Sequence, residues 1–378
     1  MRPRFRKSLC TFGVALFLIA SVGCGDFFTP RTDTTTPATA KFAYVANFQN
    51  ATAGSISIFS INSSTGALTA VGSSVSTGSN GPAALVTVLS KFLYSANDAG
   101  TVSAFTANTT TGALTTVSGS PFLAGGTNPN AIVANSTGKF LYVANSGSDD
   151  ISTFSVDATT GALTAIGTPV LTGTSTTSGP PVNLALHPTG KFLYAAMDSA
   201  GVAVFSVNAT TGALTFVNTV PAQAGTHPQA VIVEKTGKFA YVADGSSAVD
   251  EYSVDATTGN LTLLPAPNST IAAGTVPIVL TADAAGSHVY VAAQSSNNAF
   301  SFGILTSGAL SAIGTAVATG SSPSSIAIDP SGKFVYVTNF SGGPDISIYS
   351  IDTAGKLVSA STASSGVSPA NAASIAFL

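Results

Sequence analysis

Charge is scarce in this chain. Only 8% of its 378 residues are Asp, Glu, Lys or Arg, against 45% hydrophobic, whereas an ordinary soluble domain carries about 25% charge. Cysteine is scarcer still. The only two, Cys10 and Cys24, both stand near the N-terminus. The body therefore has no disulfide framework and no cysteine-rich metal site, and its fold must be held by burial alone. Beyond residue 23 the only arginine is Arg31, and the only histidines are His187, His227 and His288. No long stretch with apolar residues at helical spacing follows the N-terminus, which argues against a helical fold. Ser nucleophile motifs, phosphate-cradling glycine loops and zinc spacings are also missing. No cofactor or metal is expected.

What is present begins with a leader. Arg2, Arg4, Arg6 and Lys7 precede an apolar run from Leu9 to Val22. Fourteen residues are few for a membrane span, so residues 1–23 read as an export signal. The stretch Ser21-Val22-Gly23-Cys24 resembles a bacterial lipobox, with Ser21 where Leu is usual. That resemblance implies acylation of Cys24; a plain signal peptide or an uncleaved anchor are the alternatives. Residues 24–40 are rich in Thr and Pro and read as an extended tether. The expected location is the bacterial cell envelope, periplasm or surface, with the lipid anchor as the only membrane contact. Loss of residues 1–23 leaves nine lysines and arginines against sixteen carboxylates, a net charge of −7. A nucleic-acid partner is not expected for so acidic a chain.

From Lys41 onward one phrase recurs. KFAYVAN starts at Lys41, KFLYSAN at Lys91, KFLYVAN at Lys139, KFLYAAM at Lys191, KFAYVAD at Lys238 and KFVYVTN at Lys333; a degraded copy, SHVYVAA, starts at Ser287. The seven tyrosines, from Tyr44 to Tyr336, are spaced 46 to 52 residues apart. A strand-rich repeat of this period marks a propeller or array. In the third copy, Pro129 opens a short apolar strand, Ser136-Thr137-Gly138 turns into Lys139–Asn145, a polar loop leads to Ile151–Val156, and Asp157…Gly161 turns into a fourth strand. Asp157 is placed to bond backbone N–H groups ahead of it and Gly161 to take positive φ, so these aspartates are turn formers rather than catalytic groups. Four short strands make one antiparallel blade. Both faces of the second strand are apolar and predict burial on both sides. The last unit, ending in Ser374-Ile375-Ala376-Phe377-Leu378, has a first strand only, and the unit at Lys41 lacks one. The expectation is an all-β, seven-bladed propeller over residues 41–378, closed by the C-terminal strand pairing in the first blade.

These units, each with a Pro-x-x-apolar strand before and a Thr-Gly-x-Leu turn after, resemble the YVTN-repeat and lactonase-type seven-bladed propellers. The resemblance spans Lys41 to Leu378. It implies a fold shared by 6-phosphogluconolactonase-like enzymes, a muconate-lactonising relative and many exported propellers with no assigned reaction, and fold alone does not choose among them. Lactonase-like members carry a motif of the type G-P-R-H-L-A-F-H-P-N-G-K with a glutamate after the next strand. The fourth unit, Pro180 to Lys191, matches in Leu184-Ala185-Leu186-His187-Pro188, holds Val182 and Asn183 in place of the Arg-His pair, and has Asp198 in place of the glutamate.

Opening a phosphorylated sugar lactone requires anion recognition, for which arginine is the usual forked donor, and a base with an oxyanion stabiliser. This body has no arginine. The leading expectation is a non-catalytic binding or scaffolding module for a protein, glycan or small molecule, using the loops around the channel. The alternative is a lactonase with a divergent site. His227, Asn128, Asn130, Asn183, Gln229 and Asp198 are the candidate ligand residues, because they vary over a fixed repeat frame. His187 and His288 read as structural. Asp149-Asp150 and Asp250-Glu251, which lack the spacing of a calcium loop, read as surface acids.

Overall fold

Each copy of the repeated phrase is a strand buried on both faces. Phe140–Asn145 and Phe334–Asn339 are buried at every position. In the third blade, Leu141 and Val143 pack with Phe92 and Tyr94 of the blade before, and Phe140, Tyr142 and Ala144 pack with Leu184 and Leu193 of the blade after. Alternation along a strand thus supplies both halves of the blade-to-blade packing. The computed structural model describes residues 41–49, 53–174, 179–223, 226–341, 343–366 and 371–378. The expectations for the leader, Cys24 and the tether lie outside these residues.

Seven antiparallel sheets form a propeller with no helix among the described residues. The third is typical, with Pro129–Ala134 innermost, then Phe140–Asn145, Asp150–Val156 and Leu163–Ala165. In five blades the outer strand is interrupted, and a second short segment, such as Val170–Leu171, pairs with the same third strand. The tail closes the ring. Ala372–Phe377 lies antiparallel to Phe42–Asn47, Tyr44 opposite Ala376, and the Lys41 N–H donates to the Leu378 carbonyl at 2.8 Å. Closure leaves no inner edge to recruit another chain.

The repeat residues have a common task at the seams between blades. The Tyr142 hydroxyl donates to the carbonyl of Gly212, in the turn of the next blade, at 3.1 Å. Tyr44, Tyr94, Tyr194 and Tyr241 do the same to Gly112, Gly161, Gly259 and Gly308, and Tyr336 closes the circle on Gly66. A Cβ on Gly212 would stand 2.5 Å from the ring of Phe140, and φ there is +75°. Only glycine lets the turn sit on that ring and take that backbone conformation. The turn itself forms as its residues dictate, with the Thr159 and Thr160 N–H groups donating to Asp157 Oδ1 at 2.9 and 2.8 Å. The seam between blades 6 and 7 is the exception. His288 replaces the phenylalanine, the turn from Asp352 to Gly355 is one residue shorter, and the buried Tyr290 hydroxyl has no partner. His288 Nδ1 lies 2.7 Å from Asp283 Oδ2 instead. His187 is structural too; its buried ring spans Thr189 Oγ1 at 2.7 Å and the Gly237 carbonyl at 2.9 Å.

The reading of the acidic pairs as surface groups is corrected. Asp150, Asp250 and Glu251 are buried, the last two 1% exposed. The cause lies in the asparagine that ends the repeat. Asn47, Asn97, Asn145 and Asn339 are buried and each donates to a serine on the third strand, Ser57, Ser103, Ser152 and Ser347. In blade 5 these two places hold Asp244 and Asp250. The Asp244 carboxylate turns to the N–H groups of Ser246, Ser247 and Ala248. Neither oxygen of Asp250 has a partner. Where Ser57 and Ser103 donate to the carbonyls of Ser365 and Thr77, a carboxylate has no hydrogen to offer. Burial, and then the charge of Asp244, push the Asp250 carboxyl up to about 7. Burial likewise pushes Glu251 up to about 7, despite the hydrogen bond from the Leu310 N–H.

Three outcomes are expected. Deleting residues 374–378 removes most of the closing strand, and calorimetry should show a large fall in melting temperature or aggregation; an unchanged transition would contradict the closure. Tyr142→Phe strands a buried carbonyl and should cost about 1–2 kcal/mol, whereas Tyr290→Phe should cost nothing measurable, so equal losses in denaturant titrations would refute the seam bond. For Asp250 the folded carboxyl keeps its proton up to about pH 7, while the unfolded one loses it near pH 4. The folded state then binds more protons in between, and its stability falls as pH rises through that window. Asp250→Asn should raise stability at pH 8 by on the order of 2 kcal/mol and flatten this pH dependence; a variant less stable than the parent at pH 8 and equal at pH 4 would sink the assignment.

Candidate functional site

The strand directions sort every loop to one end of the propeller or the other. Inner strands run from the Pro129 end to the Ala134 end, and second strands return from the lysine end. The loops that enter each blade and those joining its second and third strands therefore share one end. The tight turns at Asn135–Gly138 and Asp157–Gly161 share the opposite end.

The inner strands surround a channel cavity of about 460 Å³ that runs along their length, from Asn130 to Val133 and from Val182 to Leu186. Each inner strand other than that of blade 5 carries a register shift at its start, for example between Pro129 and Ala131 and between Pro323 and Ser325. Bulges re-aim a side chain, and the residues at these places, Asn130 and Ser324 among them, line the cavity. Asn183, Gln229, Ser325 and Ser374 join them. The wall is thus made of amides, hydroxyls and apolar groups, with no ionisable side chain.

The six candidate residues fall in different situations. Asn130 lines the cavity, and its Oδ1 is buried without a partner. Asn183 Oδ1 accepts from the Val231 N–H of the next blade at 3.1 Å, so its carbonyl is committed to the seam. Gln229 bridges cavity and rim; its Nε2 donates to Asp198 Oδ1 at 3.3 Å and to the His227 carbonyl at 3.1 Å. Asp198 Oδ1 also lies 3.2 Å from His227 Nδ1, on two side chains about half exposed. The structure therefore brings Asp198, His227 and Gln229 into one rim cluster joining blades 4 and 5. Asn128 stands apart. It is exposed, does not line the cavity, and has φ +52°. Gly81, Val276 and Ser322 occupy the equivalent place with φ between +53° and +62°, so that place answers mainly to backbone conformation.

Sequence reasoning passed over Ser324, Ser325 and Ser374. Ser324 Oγ bonds the carbonyls of Thr338 and Ala372, and Ser374 Oγ accepts from the Leu85 N–H at 3.1 Å. Serine is too common here to stand out, and the one signal was position, since these serines occupy the same places as Asn130 and Asn183. Chemically, the rim offers an imidazole oriented by a carboxylate, an arrangement suited to accepting a proton. The cavity offers neutral donors and acceptors. It has no fixed cation for a phosphate.

The family described as "Lactonase, 7-bladed beta-propeller" matches residues 34–124, 121–178, 179–270 and 245–374. Solved structures agree in fold. A candidate 6-phosphogluconolactonase of Bacteroides fragilis aligns at 22% identity and a TM-score of 0.74, over 92% of this chain and 100% of that one. One from Bacteroides uniformis aligns at 20% identity, TM-score 0.76, over 90% and 100%. The periplasmic gluconolactonase of Pseudomonas aeruginosa aligns at 19% identity, TM-score 0.71, over 89% and 98%. No curated protein sequence matches. With the model match running through nearly the whole propeller, this chain belongs to the lactonase family of seven-bladed β-propellers.

Proposed function

We propose that this protein is an exported, lipid-anchored propeller of the cell envelope that binds a neutral, hydroxyl-rich ligand, a sugar or glycan, in the mouth of its central channel. The observation that carries this is the cavity wall, built from the amides of Asn130, Asn183 and Gln229 and the hydroxyls of Ser324, Ser325 and Ser374. Polar groups fixed on a rigid apolar wall give orientation and specificity to such a ligand. The loop end of the propeller adds acids, Asp98, Asp149 and Asp198, and no lysine or arginine. That field repels a phosphorylated ligand.

A second reading is favoured by one specific contact. His227 held by Asp198 at 3.2 Å would serve as a general base for water attacking a neutral lactone, with Asp198 fixing the tautomer. A protein of the same fold, the periplasmic gluconolactonase of Pseudomonas aeruginosa, supports this reading.

Calorimetric titration with neutral sugars and their phosphorylated counterparts separates these ideas. Neutral ligands should bind at least tenfold tighter, and Asn130→Ala should weaken them at least fivefold. Equal or tighter binding of the phosphorylated forms would overturn the neutral-ligand reading. In parallel, acid release from a panel of sugar and aryl δ-lactones should equal the blank. Hydrolysis that disappears in His227→Ala would replace binding by catalysis as the primary function.

A further inference from the structure

All eight lysines of the propeller lie at the end opposite the channel mouth. Lys41, Lys91, Lys139, Lys191, Lys238 and Lys333 precede the second strands, Lys235 sits in a turn between inner and second strand, and Lys356 follows the turn glycine Gly355. Six of the eight are exposed. Six acids share this end, so its net charge is +2. Glu234, Asp283 and Asp329 turn their carboxylates onto backbone N–H groups of their own turns. Asp157, Asp255 and Asp352 remain in the turns between third and fourth strands, Asp157 beside Lys91. By the register of the tyrosine bonds, Lys41, Lys139 and Lys333 face turns headed by the neutral Asn108, Asn208 and Asn62, and Lys238 faces the Ser307 turn, which has no acid. Two apolar side chains stand among these cations in the same turns, Leu89, 45% exposed, and Leu305, 51% exposed. Lys41, which opens the first propeller strand, stands at this end, and in the mature chain the stretch from Cys24 precedes it in sequence.

We infer that the lysine end is a docking face for an anionic phospholipid surface. Spread ammonium groups with isolated exposed leucines suit a headgroup layer, because each lysine within a Debye length adds attraction and the leucines reach the acyl boundary. Chain entry at the same face brings the two surfaces together without crossing the propeller. Docked so, the propeller turns the acid-bearing channel mouth away from the lipid. The inference adds to the tether expected from the sequence and does not depend on what the channel binds.

The test uses the mature chain, residues 24–378, with Cys24→Ser so that no acyl chain contributes. Co-sedimentation with vesicles of phosphatidylglycerol and phosphatidylcholine, against phosphatidylcholine alone, is measured at about 20 and 200 mM salt, a range over which screening of exposed charges increases severalfold. Binding should be confined to the anionic vesicles and should fall at least tenfold at the higher salt. The combined Lys139→Gln, Lys238→Gln and Lys333→Gln variant should lose at least tenfold in affinity, and Leu305→Ser should weaken binding further. A fluorophore on Thr137→Cys, at the lysine end, should shift to the blue with vesicles, and one on Thr127→Cys, at the mouth end, should not. Equal binding to neutral vesicles, no binding at low salt, an undiminished triple variant or a shift at Thr127 would each overturn the inference. So would retention on a soluble polyanion such as heparin without retention on vesicles. Asn130→Ala, which tests the channel ligand, should leave vesicle binding unchanged, so the two proposals fail separately.

Discussion

The bond from a buried tyrosine to the turn glycine of the next blade is the constraint on which the rest of this propeller depends. Blades stacked through flat apolar faces have little to prevent them from sliding. The hydroxyl-to-carbonyl bond is directional, and its acceptor is presented only when the neighbouring turn sits on the phenylalanine ring. Tyr94 and Phe92 together hold Gly161, and Tyr336 and Phe334 together hold Gly66. Each of these seams is thus set in register by one polar bond and one ring contact, both supplied by three adjacent residues of the repeat. The low charge of the chain follows, since its seams need hydrophobic area and neutral hydrogen bonds, while a buried ion pair would have to overcome desolvation.

Two chemically distinct ends result from the same geometry. The residues that lock the seams lie toward the lysine end, where tight turns repeat with little variation. At the mouth end the loops carry no such duty. They vary in length and sequence, and the bulges at the starts of the inner strands turn Asn130 and Ser324 toward the cavity. A wall of amides and hydroxyls can then be rebuilt without disturbing the tyrosine bonds. Blade 5 shows the limit of that freedom. There the substitution of Asp244 and Asp250 for an Asn–Ser pair reaches into a seam and leaves a carboxyl with no partner.

The repeat made the fold legible from sequence. Lys41 without a strand before it and Leu378 without one after it were sufficient to place the closing strand, because a ring permits only one pairing for the two ends. The turn role of Asp157 and the structural role of His187 were equally plain from local chemistry. The site was less legible for two physical reasons. Asn128 looked like a variable polar residue, but left-handed backbone also selects Asn, as it selects Gly81. Asp250 and Glu251 looked like surface acids, because charge suggests exposure, whereas the strand register places them inside a blade. The proximity of Asp198 to His227 depends on the rotation between two blades, which no spacing along the chain encodes.

Family membership and site chemistry therefore carry different weight for this chain. The match that identifies the fold runs through the seam residues, the same residues that close a propeller whatever it binds. The places that would carry an arginine and a histidine in a lactonase-type motif hold Val182 and Asn183, and Asn183 has been drawn into the seam by its bond to the Val231 N–H. An amide carries no charge, so it does not replace an arginine as an anion clamp. The remaining imidazole, on His227, comes from a different blade and is oriented from the side by Asp198, so any proton transfer at this mouth would follow an arrangement other than that motif. Binding of a neutral ligand requires no such group, and the cavity already supplies the amides and hydroxyls it would use.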